Sequence, residues 1–189
     1  MPRYLVLLLL VLSLVAPQDV SAVSRERKNV GISTDVLAVA LPVAAVSYTL
    51  ATKDWTGLKQ GAFAAATTIG ATYLLKYTIH KRRPDGSDNH SFPSYHTSSA
   101  FAAAAFVQRR YDWKWGVGAY VVATYIGWGR TFAKKHDWWD VLAGAVIGAG
   151  ASYIFTRPLQ HTPFSELSIA PVADPVSSTI GFSFSATLK

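Results

Sequence analysis

The chain has 189 residues, half of them hydrophobic and 15% charged, with Lys+Arg 18 against Asp+Glu 11 and a formal charge of +7. That length suits one domain, and so little charge excludes a disordered chain and disfavours a freely soluble one, where roughly a quarter of residues are charged. With no cysteine, disulfide scaffolds, cysteine nucleophiles and thiolate metal or iron–sulfur sites are excluded. The basic excess suits nucleic acid, anionic lipid or a phosphorylated substrate, and charge alone does not choose among them.

At the N-terminus Arg3 precedes an apolar run from Tyr4 to Ala16, broken only by Ser13, and Val20-Ser21-Ala22 supplies small residues at a signal-peptidase spacing. This reads as a secretory signal peptide over residues 1–22. The alternative, a short first transmembrane helix, falls below the about 20 apolar residues that a span needs. Either reading sends the chain beyond Ala22 to the extracytoplasmic side.

After a polar, basic stretch from Ser24 to Asn29 come five apolar segments: Val36–Thr52, Gln60–Leu75, Thr97–Gln108, Trp115–Gly129 and Val141–Thr156. Alanine and leucine without strict alternation predict helices, and Pro42 is expected to kink the first. The uncharged cores are short for spans, and the buried helices of a soluble bundle would look similar. Two features favour a membrane bundle. Trp55, Trp113, Trp115, Trp128, Trp138 and Trp139 all lie at segment ends or in connections, where an aromatic belt would place them. Gly144/Gly148 and Ala145/Ala149 repeat small residues at the spacing that lets helices approach closely in lipid.

The expected fold is therefore all-α: a membrane bundle of five helices over residues 23–157, six if the N-terminal segment is retained. Residues 158–189 form a tail whose alternation at Ile180, Phe182, Phe184, Ala186 and Leu188 reads as a strand. Leu167 and Ile169 are its expected partner in a short β-hairpin, with Asp174-Pro175 in the turn. If the helices alternate in direction, Lys53, Lys59, Arg109, Arg110, Lys114 and Arg157 share one side, cytoplasmic by the positive-inside rule.

The opposite connections carry the chemistry, in three blocks: Lys76 to Pro84, Pro93 to Thr97, and Arg130 to Asp140. Lys81 and Arg82 read as a solvated membrane flank. His136 and Asp140, four apart at a helix start, share a face, so the carboxylate can hold Nδ1–H and leave Nε2 as a nucleophile. His96 adds a second imidazole beside Ser94. A His pair with Asp140 and His90 could instead bind metal. Lys76, Arg83 and Arg130 oppose a cation, however, and suit a tetrahedral oxyanion, with Ser94 and the amides opening the 97–108 helix completing an anion site.

At these residues the sequence resembles the type 2 phosphatidic acid phosphatase superfamily, membrane relatives of bacterial acid phosphatases and vanadium haloperoxidases. The family pattern is Lys-x6-Arg-Pro, Pro-Ser-x-His and Ser-Arg-x5-His-x3-Asp. Lys76, Arg83 and Pro84 match the first; Pro93, Ser94 and His96 the second; Arg130, His136 and Asp140 the third. Tyr95 replaces the usual glycine at a position whose backbone N–H is the donor, and Gly129 replaces the serine before Arg130.

The resemblance implies a metal-independent lipid phosphatase that needs no cofactor. His136 attacks phosphorus, Asp140 orients it, and His96 protonates the leaving oxygen and then activates water. Lys76, Arg83, Ser94, Tyr95 and Arg130 hold the phosphate. The implied partners are the bilayer and a phosphorylated envelope lipid, with undecaprenyl pyrophosphate first and phosphatidate, phosphatidylglycerophosphate or lipid A also in view. No nucleic acid is expected. The implied location is the bacterial inner membrane, with the site facing the periplasm and Lys81, Arg82, Lys134 and Lys135 gathering anionic lipid around it. The rival readings are a soluble exported acid phosphatase, a haloperoxidase using vanadate, or a non-catalytic protein that binds anionic lipid through its basic loops.

Overall fold

The computed structural model describes residues 20–159, 164–174 and 179–188. Five helices run through the bundle: α1 (Val20–Ala51), α2 (Trp55–Thr78), α3 (Tyr95–Tyr111), α4 (Trp113–Phe132) and α5 (Trp138–Phe155). The leader expected over residues 1–22 lies outside the described residues except for its last three, with which α1 opens. The polar stretch Ser24 to Asn29 is helical, and α1 continues through Pro42.

Each later helix starts on a side chain that satisfies its first N–H groups. Asp54 accepts from Gly57 N–H, Ser94 from Thr97 N–H, Asp112 from Trp113 N–H, and Asp137 from the N–H groups of Trp139 and Asp140. On α5 the cap is reciprocal, since the Asp140 carboxylate accepts from Asp137 N–H in return. In three of the four the cap is followed at once by tryptophan (Trp55, Trp113, Trp138). The short polar cap thus sits beside a ring suited to a membrane–water boundary.

The packing is inverted relative to a soluble core. Ala38, Ala100, Ala104, Ala119, Ala123 and Ile126 form the buried cluster, while Val39, Leu74, Val121, Val146 and Ile154 stand outward, Ile154 at 75% exposure. So continuous an apolar exterior belongs against lipid or a partner. Among the described residues two helices qualify by length and composition as membrane spans, Ser21–Ala51 and Trp138–Phe155. Several buried hydroxyls are bonded within the bundle. Thr49 and Thr68 bond to the carbonyls of Ala45 and Ala64 at 2.8 Å, Thr72 bonds Ser98 at 3.0 Å, and Ser152 reaches across to Ala102 O at 2.7 Å.

The tightest seam joins α3 and α5. A Cβ built on Gly148 would lie 2.0 Å from Ser98 O, and one on Gly144 would lie 2.6 Å from Ser94 O. At the far end of the bundle Arg110 donates to both oxygens of Asp54 and to Arg157 O, while Arg109 donates to Thr156 O. Those basic residues therefore do share one end. Beyond α5, β1 (Phe164–Asp174) pairs antiparallel with β2 (Thr179–Leu188). The expected turn at Asp174-Pro175 falls partly outside the described residues.

Gly148→Ala is expected to destabilise the bundle by about 2 kcal/mol or more, because backbone, which cannot rotate away, meets the added methyl. Gly150→Ala, whose Cβ would meet nothing within 4 Å, is the control. Thermal unfolding in detergent measures the difference; equal melting temperatures for the two variants would contradict this account of the seam.

Candidate active site

The second and third blocks meet across the glycine seam. Ser94 N–H donates to the Asp140 carbonyl at 3.0 Å, which sets the start of α3 against the first turn of α5. His136 precedes that turn, nearly buried, with Nδ1 3.4 Å from Asp140 Oδ2. This is too long for a formed hydrogen bond, and His136 Nδ1 has no other partner. Burial pushes the His136 imidazole below its ordinary pKa, and the Asp140 carboxylate offsets this only in part. Burial thus favours the neutral ring.

Lys76 lies in the last turn of α2 with its ammonium buried against the carbonyls of His90 and Pro93 at 2.8 and 2.9 Å, leaving one of its three protons for a further acceptor. Arg83 donates from Nε to Asp88 at 2.9 Å. Its charge is felt at Lys76, His96, Arg130 and His136, so the first block shares one electrostatic neighbourhood with the other two. Arg130, in the last turn of α4, bonds Asp35 through one terminal nitrogen, while its buried Nε has no partner. Ser94 Oγ accepts from the Thr97 hydroxyl at 3.0 Å, so its own proton stays available to donate. Tyr95 lies at the first helical position, where a backbone N–H has no intrahelical acceptor. Its ring packs on Tyr73 at 5.6 Å and against His96 at 6.2 Å.

Four contributors had no sequence signal. Asp35, from the middle of α1, lies 3.1 Å from His96 Nε2 and also pairs with Arg130. Ser91 donates its hydroxyl to Asp140 Oδ2, and Asp137 caps α5. Lys81, expected in a solvated flank, instead places Nζ 2.8 Å from Asp140 Oδ1 and 2.5 Å from Asp137 Oδ2. Lys135, expected to gather lipid, pairs with Asp85 at 2.7 Å. Gly129, where the family pattern has serine, faces α1: a Cβ there would lie 2.4 Å from Thr34 Cγ2. The missing side chain is room for α1.

Among the described residues no three His, Cys, Asp or Glu side chains converge to hold a metal. What converges is cationic, with donors left open around an imidazole backed by a carboxylate. Such a site suits a tetrahedral oxyanion.

The comparisons agree with that class. The model of the PAP2 superfamily matches residues 7–162, and the chain belongs to this family. It is 32% identical over 142 residues to the lipid A 4'-phosphatase of Helicobacter pylori, covering 68% of this chain and 72% of that protein. It is 35% identical over 94 residues to the lipid A 1-phosphatase of Porphyromonas gingivalis, covering 48% of this chain but only 21% of that longer protein. The crystal structure of Aquifex aeolicus LpxE superposes with a TM-score of 0.51 at 23% identity, over 64% of this chain and 83% of that one, which supports the fold. The protein is a phosphatase.

The Asp35 carboxylate competes with any anion for Arg130 and His96. Asp35→Asn is therefore expected to tighten competitive inhibition by inorganic phosphate by up to about fivefold, the scale of one exposed ion pair. Initial-rate inhibition assays measure it, and weaker inhibition in the variant would show that Asp35 instead organises the cradle.

Proposed function

We propose that the protein hydrolyses the phosphate ester or diphosphate of a membrane lipid through a phosphohistidine intermediate, with its site at the extracytoplasmic surface of the bacterial inner membrane. The observation that carries this reading is the buried Arg130 Nε, left without a partner inside a cationic cluster that also holds the buried His136. Donors are rarely left open in a buried site unless a ligand completes them.

In this mechanism His136 Nε2 attacks phosphorus while the bond to the leaving oxygen breaks, and His96 delivers its proton to that oxygen. His136 Nδ1–H closes onto Asp140 as the imidazole gains charge; such bonds are often long before substrate arrives. Water then attacks the phosphohistidine, giving its proton to His96, and the P–N bond breaks to release inorganic phosphate. Lys76, Arg83, Arg130, Ser94 and the N–H of Tyr95 hold the equatorial oxygens, where charge is carried through both transition states. Water is the second substrate, and no metal or cofactor takes part.

Membrane residence is supported by the apolar exterior and the two span-length helices. The end bearing Arg109, Arg110 and Arg157 would be cytoplasmic. The catalytic end then faces outward, and Trp128, Trp138 and Trp139 beside the third block suit head-group depth. The lipid A phosphatases among the relatives make a lipid A phosphate the first substrate to try, before undecaprenyl pyrophosphate, phosphatidate and phosphatidylglycerophosphate.

His136→Ala is expected to lower turnover by roughly four orders of magnitude or more, as loss of a nucleophile does. His96→Ala is expected to cost about 10²–10⁴-fold on alkyl or sugar phosphates but far less on p-nitrophenyl phosphate, whose leaving group needs little protonation. Parallel losses on both substrate types would remove His96 as the acid.

A second expectation concerns the lipid. In detergent, hydrolysis of long-chain lipid phosphates should exceed that of glycerol phosphate by well over tenfold at equal concentration, since a buried chain contributes about 0.8 kcal/mol per methylene. Comparable rates would favour the soluble acid-phosphatase reading.

A further inference from the structure

We propose that Lys81 is a positioning residue for the reaction: its ammonium clamps Asp140 from the side opposite His136, fixing the carboxylate and limiting its pull on the imidazole proton. The proposal rests on the reading of His136 as nucleophile and adds to it a residue at a position the first family pattern leaves unspecified.

The geometry is specific. Asp140 is wholly buried, and its two oxygens are divided between two sets of donors. Oδ2, the oxygen near His136, accepts from the Ser91 hydroxyl and from Asp137 N–H at 3.1 Å. Oδ1 accepts from Lys81 Nζ at 2.8 Å. The same ammonium reaches Asp137 Oδ2 at 2.5 Å, so it bridges the helix cap and the catalytic carboxylate. Lys81 and Ser91 both come from the connection between α2 and α3. There Ser91 N–H donates to Lys81 C=O at 2.9 Å, which ties the two donors into one unit before either reaches α5. The Phe92 ring, 5.9 Å from Nζ, lies beside the ammonium. Burial alone would push the Lys81 ammonium toward neutrality, but Asp137 and Asp140 outweigh it and hold the group above its ordinary range, so the charge is permanent.

The consequence for His136 comes from its neighbours. Arg83 and Arg130 face it with charge that disfavours the imidazolium, and Asp140 alone among these favours it. A bare buried carboxylate beside the ring would favour the protonated imidazole and so reduce the attacking form. Lys81 spreads that carboxylate's charge over a second cation. With the ammonium removed, Asp140 and Asp137 both gain influence over the ring, and the His136 pKa rises. The neutral, attacking fraction then falls at any pH below the new value.

The test uses the full-length protein in detergent and the dependence of kcat/KM on pH for one lipid phosphate, so that ionisation of the substrate is common to every variant. Lys81→Gln keeps a hydrogen-bond donor and removes the charge. The acid limb of its profile is expected to move to higher pH by about one unit, a roughly tenfold loss at acidic pH that fades as pH rises. Lys81→Arg keeps the charge with a different shape, and its limb is expected to stay in place while kcat falls. If Lys81→Gln does not fold, Lys81→Arg decides alone: a displaced limb in that variant overturns the proposal. A uniform loss in Lys81→Gln with an unmoved limb also overturns it, leaving Lys81 as a support for the α5 cap only. His136→Ala separates the two levels of argument. If that variant still turns over, the nucleophile assignment fails; if it is dead and the Lys81→Gln limb is unmoved, only the role of Lys81 fails.

Discussion

The approach of α3 to α5 at backbone contact is the constraint on which the site depends. Lipid offers no hydrophobic drive to pull helices together, so close packing of small faces and occasional interhelical hydrogen bonds must hold them. Gly144 and Gly148 provide that face, and Ser152 adds a bond to Ala102 O. Because the seam closes at the level of Ser94, the cap of α3 and the first turn of α5 touch through Ser94 N–H and the Asp140 carbonyl. The helix that carries His96 and the carboxylate beside His136 are thereby set in register by van der Waals contact between backbones, a stiffer constraint than any side-chain bond.

The two ends of the bundle use arginine in opposite ways. Arg110 is buried and engages Nε and both terminal nitrogens, with Asp54 and Arg157 O as acceptors; Tyr111 adds its hydroxyl to Asp54 at 3.1 Å. Burial of that ion pair is tolerable because its partners are supplied in full. Arg130 is equally buried yet keeps Nε without an acceptor, and His136 Nδ1 is in the same position. A satisfied arginine is a latch; an unsatisfied one is half of an interaction. The distinction separates structure from function here more sharply than charge does, since both ends are basic.

Much of this was legible in the sequence. The five apolar segments coincide with the five helices, two of them overrunning a helix end by one residue, and the three blocks gather at one end because their spacing encodes where helices start and stop. His136 and Asp140 were readable as a pair from their spacing, although His136 stands just before the Asp137 cap and not on the helix itself. The helical reach of α1 back to Val20 was hidden by its charged first turns, which carry no apolar face to mark them. Lys81, Ser91 and Asp35 were illegible for a different reason. Each acts through a partner 49 to 95 residues away, and nothing local distinguishes Lys81 from Arg82 beside it. A lysine just past a helix end is ordinarily solvated; only the bridge between Lys81 and Ser91 turns this one inward.

Exposure sorts the carboxylates of the site into two kinds. Lys76, Arg83 and Arg130 share one neighbourhood, and such like charges repel unless counter-ions are present. Asp35 and Asp88 supply them, and their side chains are 54% and 41% exposed. An arriving phosphate can displace either one at modest cost, because a carboxylate that swings away is rehydrated at once. Asp140 has no such route. With no exposed surface and donors on both oxygens, it cannot leave its site without stranding a buried charge, which costs several kcal/mol or more. The outer carboxylates can therefore yield to an arriving anion while the inner one stays fixed beside His136. The same residue type thus shows two behaviours, and the depth at which each side chain is buried sets the difference.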